Sequence, residues 1–246
     1  MLNRSLITLD IDWAPDFAIE AVAKTLIDGR VKATWFVTHL SPAIENLRNF
    51  PELFELGIHP NFLPGSTHGS TPRQVLEHLQ AIVPEAVSVR THSLVQSGPL
   101  LQMIIESNLK TDVSLFLPGM EYIQPFEFHL KGKNLFRIPY FWSDDYEMGQ
   151  ISPCWQLSPL KQVKGLKVMN FHPINIYLNV TNPEIYTDLK TKVPSLAELT
   201  VSAGESFVKK GEGPGTMFKQ VVDYLARAGD SFCICDIYTM RAKGYS

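Results

Sequence analysis

Two carboxylates stand two residues apart, at the end of an apolar segment near the start of the chain. Asp10 and Asp12 close residues 6–12, a segment of β-favouring residues. Alternate residues of a strand share a face, so both carboxylates could face one pocket. Two carboxylates at close range do not comfortably both stay ionised unless a cation lies beside them. The pair is therefore consistent with a metal site, and equally with a strand end that carries two solvated acids.

Imidazoles and one guanidinium follow other apolar segments of the chain. His59 and His68 lie in a loop of turn-forming residues, His92 follows Arg90 by two positions, and His172 ends a later apolar segment. Neutral imidazole is a good ligand for zinc and other divalent metals. A guanidinium can hold a carboxylate ionised and in one orientation. A single histidine is more often a core or surface residue than a metal ligand. The prediction of a metal site therefore depends on whether these residues lie together.

The elements that must position these residues alternate along the chain. Strand-like segments are residues 6–12, 33–37, 58–60, 87–89 and 168–172, and helix-like segments are residues 17–26, 42–56, 72–82, 99–107 and 215–228. This alternation predicts a parallel sheet or barrel, whose catalytic groups lie at the C-terminal ends of the strands. The acids, imidazoles and arginine would then meet at one rim, as metal-assisted hydrolysis requires. They are Asp10, Asp12, His59, Arg90 and His172.

Two stretches interrupt the alternation. Residues 117–160 are rich in aromatics and prolines, which predicts irregular β-structure or long loops framing a cleft. Residues 179–213 are polar and predict an insertion or lid. Residues 231–237 predict a final strand, in which alternation would turn its two cysteines to one face as buried thiols. We expect residues 1–246 to form a single domain that contains the two insertions.

Composition excludes several classes of protein. The chain has 246 residues, 45% of them apolar, which is enough for a sizeable core. A formal net charge of −3 gives no basic excess for nucleic acid. Three cysteines are too few for a secreted disulfide framework. With no run of about 18 apolar residues and no signal-like start, we expect a cytoplasmic protein without stable membrane insertion.

The order of these motifs resembles that of the polysaccharide deacetylase superfamily, the NodB-homology or carbohydrate esterase family four type. Within it, the chain is most similar to the WbmS-like branch, which is linked with surface-polysaccharide gene sets. The resemblance covers nearly the whole chain. It implies an α/β fold, a distorted (β/α) barrel with fewer than eight complete repeats. It also implies a metal-dependent hydrolase that removes an N-acyl group, chiefly N-acetyl, from an amino sugar.

The resemblance implies roles for four residues at the rim. Asp10 looks like the first-motif aspartate that is the catalytic base, and Asp12 like the aspartate that binds the metal. Arg90 is similar to the third-motif arginine that orients the base. His172 looks like the fifth-motif histidine, the general acid. The chain departs from the family at residues 91–93, where Thr-His-Ser replaces the usual proline and aromatic.

The resemblance also implies one divalent metal ion, zinc first, with nickel, cobalt or iron as alternatives. His59 looks like the first histidine of the family's second motif, whose second histidine ligand follows four residues later. In this chain Leu63 stands at that position. We therefore take His68, reached through a longer loop, as the remaining ligand. His92 and Asn61 are the alternatives.

The implied partner is a carbohydrate, either a nucleotide- or lipid-linked amino sugar or an oligosaccharide. Trp142 and Asp145 are candidates for binding it, and Asp145 or its neighbour Asp144 is a candidate for the fourth-motif aspartate that tunes the general acid. Two other functions stay open. One is a catalytically inactive, carbohydrate-binding member of the fold, and the other is a hydrolase of another amide or C–N bond. The oligomeric state does not follow from the sequence.

Overall fold

The computed structural model describes residues 1–193 and 195–242. Over these residues nine strands form one sheet. They are β1 Ser5–Asp10, β2 Ala33–Val37, β3 Phe54–Ile58, β4 Ser88–Val89, β5 Thr111–Asp112, β6 Phe126–Leu130, β7 Lys133–Arg137, β8 Trp142–Ser143 and β9 Lys167–Phe171. Their order is β6-β7-β5-β4-β3-β2-β1-β9-β8. Neighbouring strands are parallel except in the hairpin of β6 and β7.

The sheet curls into an incomplete barrel. Strands β7 and β8 flank its parallel part from opposite sides, yet only residues 138–141 separate them in the chain. Within that link, the Tyr140 N–H donates to the Leu115 carbonyl at 3.0 Å, and the Phe141 N–H donates to the Val168 carbonyl at 3.2 Å. One extended segment therefore joins the two sides of the curl. The predicted fold class, a distorted (β/α) barrel with fewer than eight complete repeats, is confirmed.

Helices pack around the curled sheet. They are α1 Asp16–Gly29, α2 Pro42–Leu47, α3 Pro72–Ile82, α4 Gly98–Glu106, α5 Asp144–Met148, α6 Leu157–Gln162, α7 Pro173–Leu178, α8 Pro183–Lys192, α9 Val201–Glu205, α10 Pro214–Ala228 and α11 Ile234–Ala242. The large core lies between the sheet and its helical cover, with Val22 and Leu26 of α1 and Val221 of α10 fully buried in it. None of the described helices combines the length and apolar character needed to cross a bilayer.

The second helix is shorter than the sequence predicts. The sequence predicts one helix over residues 42–56, but α2 ends at Leu47 and strand β3 begins at Phe54. Pro51 lies between them. Its ring fixes φ, it has no N–H to donate, and it disfavours helical backbone in the residue before it. The helix therefore ends in a turn, and the segment that leads to His59 is a buried strand.

The predicted final strand over residues 231–237 is wrong, because helix α11 begins there instead. Side chains inside the barrel cap its first turn. The Ile234 N–H donates to Thr34 Oγ1 at 2.9 Å, and the Cys235 N–H donates to Glu55 Oε2 at 2.8 Å. These partners lie about 180 to 200 residues away in sequence. Tertiary contacts thus override a local pattern that favours β-structure.

Glu55 joins the barrel wall to this helix, and its loss should destabilise the fold. Its buried carboxylate accepts hydrogen bonds from the Thr34 and Ser88 hydroxyls, each at 2.8 Å, and from the Cys235 N–H. Glu55→Ala leaves these donors unpaired, so we expect the free energy of unfolding to fall by about 2–4 kcal/mol. Urea denaturation measures it. Glu55→Gln keeps an acceptor, so its free energy of unfolding should fall by less than that of Glu55→Ala. Wild-type stability in Glu55→Ala would contradict this role.

The two interruptions of the barrel pattern contain regular structure. Residues 117–160 hold the β6–β7 hairpin, β8 and α5, with turns between them. Residues 179–213, as far as they are described, hold the helices α8 and α9. Helices in the second stretch were not predicted, because its polar composition leaves little apolar periodicity to read.

Candidate active site

Strands β1, β3, β4 and β9 end at one rim of the barrel. A cleft of about 320 Å³ opens there. The structure brings to this cleft the side chains of Asp10, Asp12, His59, His92 and His172. Arg90 lies directly beneath them and is fully buried. Parallel strands place their carboxyl ends at the same edge, which is why residues far apart in sequence meet here.

Asp10 is held by two donors on opposite sides of its carboxylate. Oδ1 accepts from Arg90 Nη1 at 2.9 Å, and Oδ2 accepts from Asn170 Nδ2 at 2.9 Å. Burial raises the pKa of Asp10, but the charges of Arg90, His59 and His172 outweigh it, and the net pKa is lowered. Asp10 is therefore ionised at neutral pH and fixed in one orientation.

Arg90 itself has little freedom to move. Its Nε donates to the Val113 carbonyl at 3.1 Å, and its Nη2 donates to Thr8 Oγ1 at 2.9 Å. The guanidinium carbon lies 4.6 Å from the ring centre of Phe36 and 4.4 Å from that of Tyr140. A planar cation with several donors suits such a site, which a lysine could not satisfy in the same way.

Asn170 is a site residue that the motifs in the sequence did not indicate. Its amide donates to Asp10, and its Oδ1 accepts from Arg90 and, at 3.2 Å, from the Thr8 hydroxyl. A signal was present, because Asn170 is the one polar residue inside residues 168–171 and lies two positions before His172. In a strand this spacing puts both side chains on one face.

Three donor atoms converge beside Asp10. Asp12 Oδ1 lies 3.2 Å from His59 Nε2 and 3.0 Å from His92 Nδ1, and the two nitrogens are 3.3 Å apart. The Nδ1 of His59 lies 2.7 Å from the Arg90 carbonyl, so it carries the hydrogen and donates it there. That leaves the Nε2 lone pair directed at the other donors. One carboxylate and two imidazoles fit a divalent ion such as zinc with positions left open for other ligands.

Electrostatics also favours the ionised form of Asp12. Burial raises its pKa, but the neighbouring imidazoles of His59, His92 and His172 outweigh it and hold the pKa well below its usual value. Its backbone has a φ of 44°, and Trp13 follows with a φ of 56°. Left-handed backbone at two successive non-glycine residues is uncommon and costs free energy. Strain of this kind concentrates at functional sites, and here it occurs at the turn that carries the carboxylate.

His68 lies outside the three-donor group. Its Nδ1 accepts from the Asn61 N–H at 3.2 Å, and its ring stacks on the rings of both Trp13 and His78. Burial, together with His78, lowers the pKa of His68 to about 4. The ring is therefore neutral at pH 7 and takes part in a stack of rings. It does not line the cleft.

The structure sets His92, in place of His68, beside Asp12. Strand β4 pairs with β3, so the turn after β4 runs next to the loop that carries His59. The His92 N–H donates to the Pro60 carbonyl at 2.9 Å, which fixes this proximity. Asn61, the other alternative, uses its side-chain oxygen to accept the N–H of Leu63 at 3.0 Å and is absent from the cleft wall.

His172 is oriented by a buried carboxylate. Its Nδ1 donates to Asp144 Oδ1 at 2.5 Å, and its backbone N–H donates to Asp144 Oδ2 at 2.9 Å. Nε2 then faces the cleft, 3.7 Å from Asp12 Oδ2 and 4.0 Å from Asp10 Oδ2. Burial lowers the pKa of His172, but Asp144 and the neighbouring carboxylates raise it well above its usual value. The ring carries a proton at neutral pH.

Asp144 is the carboxylate that hydrogen-bonds to His172, and Asp145 makes no hydrogen bond to that ring. Asp145 is exposed at the edge of the cleft and accepts hydrogen bonds from the Ser143 hydroxyl and the Tyr146 N–H. The two carboxylates are adjacent at the start of a helix, where successive side chains point about 100° apart. The sequence alone therefore could not decide between them.

Trp142 is not at the cleft. Its side chain is 4% exposed and packs against Phe171 at 4.9 Å and Trp155 at 6.3 Å between ring centres, in the core under the helices. Ser143, the next residue of β8, is the one that faces Asn170. A shift of one residue along a strand exchanges its two faces, which explains the wrong prediction.

Other aromatic residues form one wall of the cleft. Tyr140 and Phe116 stack with ring centres 4.5 Å apart, and Tyr146 meets Phe116 edge-on at 5.0 Å. The wall runs from the buried Tyr140 outward to Tyr146, which is 43% exposed. Apolar ring faces of this kind suit the C–H faces of a sugar ring.

Comparison with known proteins identifies related chains. Residues 7–190 match the family model described as WbmS-like, polysaccharide deacetylase. The structure is similar to that of a Bordetella bronchiseptica protein assigned as a polysaccharide deacetylase involved in O-antigen biosynthesis, with 30% identity over 90% of each chain and a TM-score of 0.75. No curated protein sequence matches.

Two more distant structures share the fold alone. One is assigned as a polysaccharide deacetylase from Mycobacterium smegmatis, with 15% identity over 93% of this chain and 91% of that chain and a TM-score of 0.52. The other is the peptidoglycan deacetylase PdaC from Bacillus subtilis, with 10% identity over 98% of this chain and 92% of that chain and a TM-score of 0.51.

Proposed function

The chain belongs to the WbmS-like polysaccharide deacetylase family, and on that premise we propose that it is a metal-dependent hydrolase that removes an N-acetyl group from an amino sugar during surface-polysaccharide synthesis. One observation carries the proposal. Three donors that could hold a metal ion, an ionised carboxylate and a protonated imidazole line a single cleft. We include residues 1–246 in one catalytic domain, and we propose a cytoplasmic location.

The donors proposed for the metal are Asp12, His59 and His92, with His92 in the place first given to His68. Zinc suits one carboxylate and two imidazoles, and nickel, cobalt or iron are alternatives. When bound, the ion supplies Lewis-acid polarisation of the acyl carbonyl and of water. The remaining steps belong to side chains of this chain.

Asp10 takes the proton from the water that attacks the acyl carbon. A general base must be ionised and close to that water, and the charges of Arg90 and its neighbours keep the pKa of Asp10 low despite burial. Arg90 and Asn170 hold the two carboxylate oxygens in place. This restricts Asp10 to one orientation relative to the acyl group.

His172 gives a proton to the departing amine nitrogen as the C–N bond breaks. An amine is a poor leaving group without that proton, so the step needs a protonated group on the leaving side. Nε2 of His172 faces the cleft, and Asp144 holds Nδ1. The immediate products are a carboxylic acid and a free amino sugar, with one proton of the water on Asp10 and one proton transferred from His172 to the amine nitrogen.

Asp144→Asn should shift the alkaline limb of the kcat–pH profile to lower pH. Burial lowers the pKa of His172, and the Asp144 carboxylate is the main group that raises it. A neutral amide removes that stabilisation of the charged ring, so His172 loses its proton at a lower pH. A general acid works only while protonated, so activity is lost earlier as pH rises. Asp145→Asn, which removes a carboxylate not bonded to the ring, should shift the limb less, and an unmoved limb in Asp144→Asn would refute this pairing.

The substrate is proposed to place a sugar ring against the wall of Tyr140, Phe116 and Tyr146. The direct test is release of acetate from N-acetylated amino sugars, free, nucleotide-linked or in oligosaccharides, before and after removal of metal by a chelator. We expect release that the chelator abolishes and added zinc restores. Binding of the same sugars without acetate release would favour an inactive carbohydrate-binding protein. Release of ammonia or amine from other amides alone would favour a different C–N hydrolase.

A further inference from the structure

His92 differs from His59 in how its ring is supported. His59 donates its second nitrogen to the Arg90 carbonyl. Within the described residues, Nε2 of His92 makes no hydrogen bond, while its Nδ1 faces Asp12 and His59. Metal-binding histidines usually donate their second N–H to a fixed acceptor, which sets the orientation of the ring. Another device must therefore orient His92.

The turn that carries His92 does not supply this orientation on its own. It is a single helical turn, His92–Leu94, in which Ser93 and Leu94 have left-handed φ values of 52° and 55°. Three backbone hydrogen bonds fix the path of the chain, from the His92 N–H to the Pro60 carbonyl, from the Leu94 N–H to the Thr91 carbonyl and from the Val95 N–H to the His92 carbonyl. They leave the rotation of the His92 side chain free, and that side chain is 22% exposed.

A stack of three rings, those of Trp13, His68 and His78, contacts His92 through Trp13. The Trp13 indole meets the His92 ring edge-on, with centres 5.5 Å apart and planes at 80°. Trp13 stacks on His68 at 5.3 Å and 30°, and His68 stacks on His78 of α3 at 5.6 Å and 22°. His68 is buried, with 4% exposed, so the middle of the stack is well packed.

We propose that Trp13 and His68 are positioning residues that hold the His92 ring at the metal donors by aromatic packing, in place of the missing hydrogen bond. The inference rests on the proposed metal site. It gives His68 a role different from the direct ligand that the sequence suggested. Edge-on and offset-stacked ring pairs are favourable beyond the area they bury, and so they can select one orientation of a side chain.

The contacts of His68 fit this role better than that of a donor. Its Nδ1 is occupied by the Asn61 N–H, and its Nε2 is buried without a hydrogen-bond partner in the described part of the chain. Neither nitrogen belongs to the group formed by Asp12, His59 and His92. The flat face of the ring, against Trp13, is what His68 offers to the site.

The test compares cobalt binding by the metal-free full-length protein and its variants, with affinity from calorimetry and donor set from the visible spectrum of the bound cobalt. His68→Phe keeps a ring but no nitrogen donor, and it should retain the wild-type spectrum with affinity within about threefold. His68→Ala and Trp13→Ala remove a ring and should weaken binding by about 10- to 100-fold, the usual effect of groups that support a ligand. His92→Ala should weaken cobalt binding by more than either of these variants and should change the visible spectrum of the bound cobalt.

Two results would overturn the inference. If His68→Phe loses cobalt as fully as His92→Ala, His68 is a direct donor. If His68→Ala and Trp13→Ala bind as the wild type does, the stack positions nothing. Circular dichroism shows whether each variant folds. If one alanine variant fails to fold, the cobalt affinities of the other alanine variant and of His68→Phe still test the inference. Failure of the proposed function is seen separately, because a wild-type protein that binds no cobalt refutes the metal site and this inference with it.

Discussion

Asp10→Asn should lower kcat for deacetylation by about 10²–10⁴-fold and leave the metal content of the protein unchanged. The side chain keeps its size, and an amide oxygen can still accept the hydrogen bond from Arg90. What is lost is the ability to take a proton from water. The effect should fall on kcat more than on KM, since the sugar ring of the proposed substrate would contact other parts of the cleft.

Two measurements accompany the Asp10 variant. Elemental analysis separates loss of the base from loss of the metal, and circular dichroism shows whether the barrel tolerates an uncharged group beside Arg90. A matched control is Asp16→Asn, which neutralises a carboxylate on the neighbouring turn outside the cleft and should retain full activity. Wild-type kcat in Asp10→Asn would remove Asp10 from the mechanism.

His172→Asn should lower kcat on N-acetyl amino sugars by a similar factor, about 10²–10⁴-fold, because the amine then departs without a proton. The loss should depend on the leaving group. With 4-nitrophenyl acetate, whose leaving group departs as an anion, the kcat of His172→Asn should fall by a much smaller factor. Asp10→Asn should lose activity on both substrates, because attack by water is common to them.

This pair of substrates assigns the two proton-transfer groups without reliance on pH. A general acid is needed in proportion to the basicity of the leaving group, whereas a general base is needed for every acyl substrate. Equal losses on the amide and the activated ester in His172→Asn would contradict its role as general acid. Such a result would favour a role in holding Asp12, whose Oδ2 is 3.7 Å from Nε2.

The sequence predicts the barrel and much of its rim for definite physical reasons. Alternating strand and helix patterns indicate parallel β-structure, and parallel strands bring their carboxyl ends to one edge. Alternate residues of a strand share a face, and this rule puts Asp10 of β1 on the face that points into the barrel. The same rule places Asn170 beside His172, so Asn170 could have been found by applying the period-two rule to its strand.

Other features of the site depend on contacts that no local pattern reports. His92 lies in the donor group because the turn after β4 hydrogen-bonds to Pro60. His68 packs in a stack of aromatic rings outside that group. Trp142 lies in the core because β8 is one residue out of the register that would expose it. Helix α11 replaces a predicted strand because Thr34 and Glu55 cap it from across the chain.

Metal content of the purified protein, measured by elemental analysis, tests the central claim most directly. We expect about one zinc, nickel, cobalt or iron per chain, which is lost in Asp12→Ala, His59→Ala and His92→Ala and retained in Asp10→Asn. No metal in the wild type even after reconstitution, or undiminished metal in the three ligand variants, would contradict a metal-dependent deacetylase at this cleft.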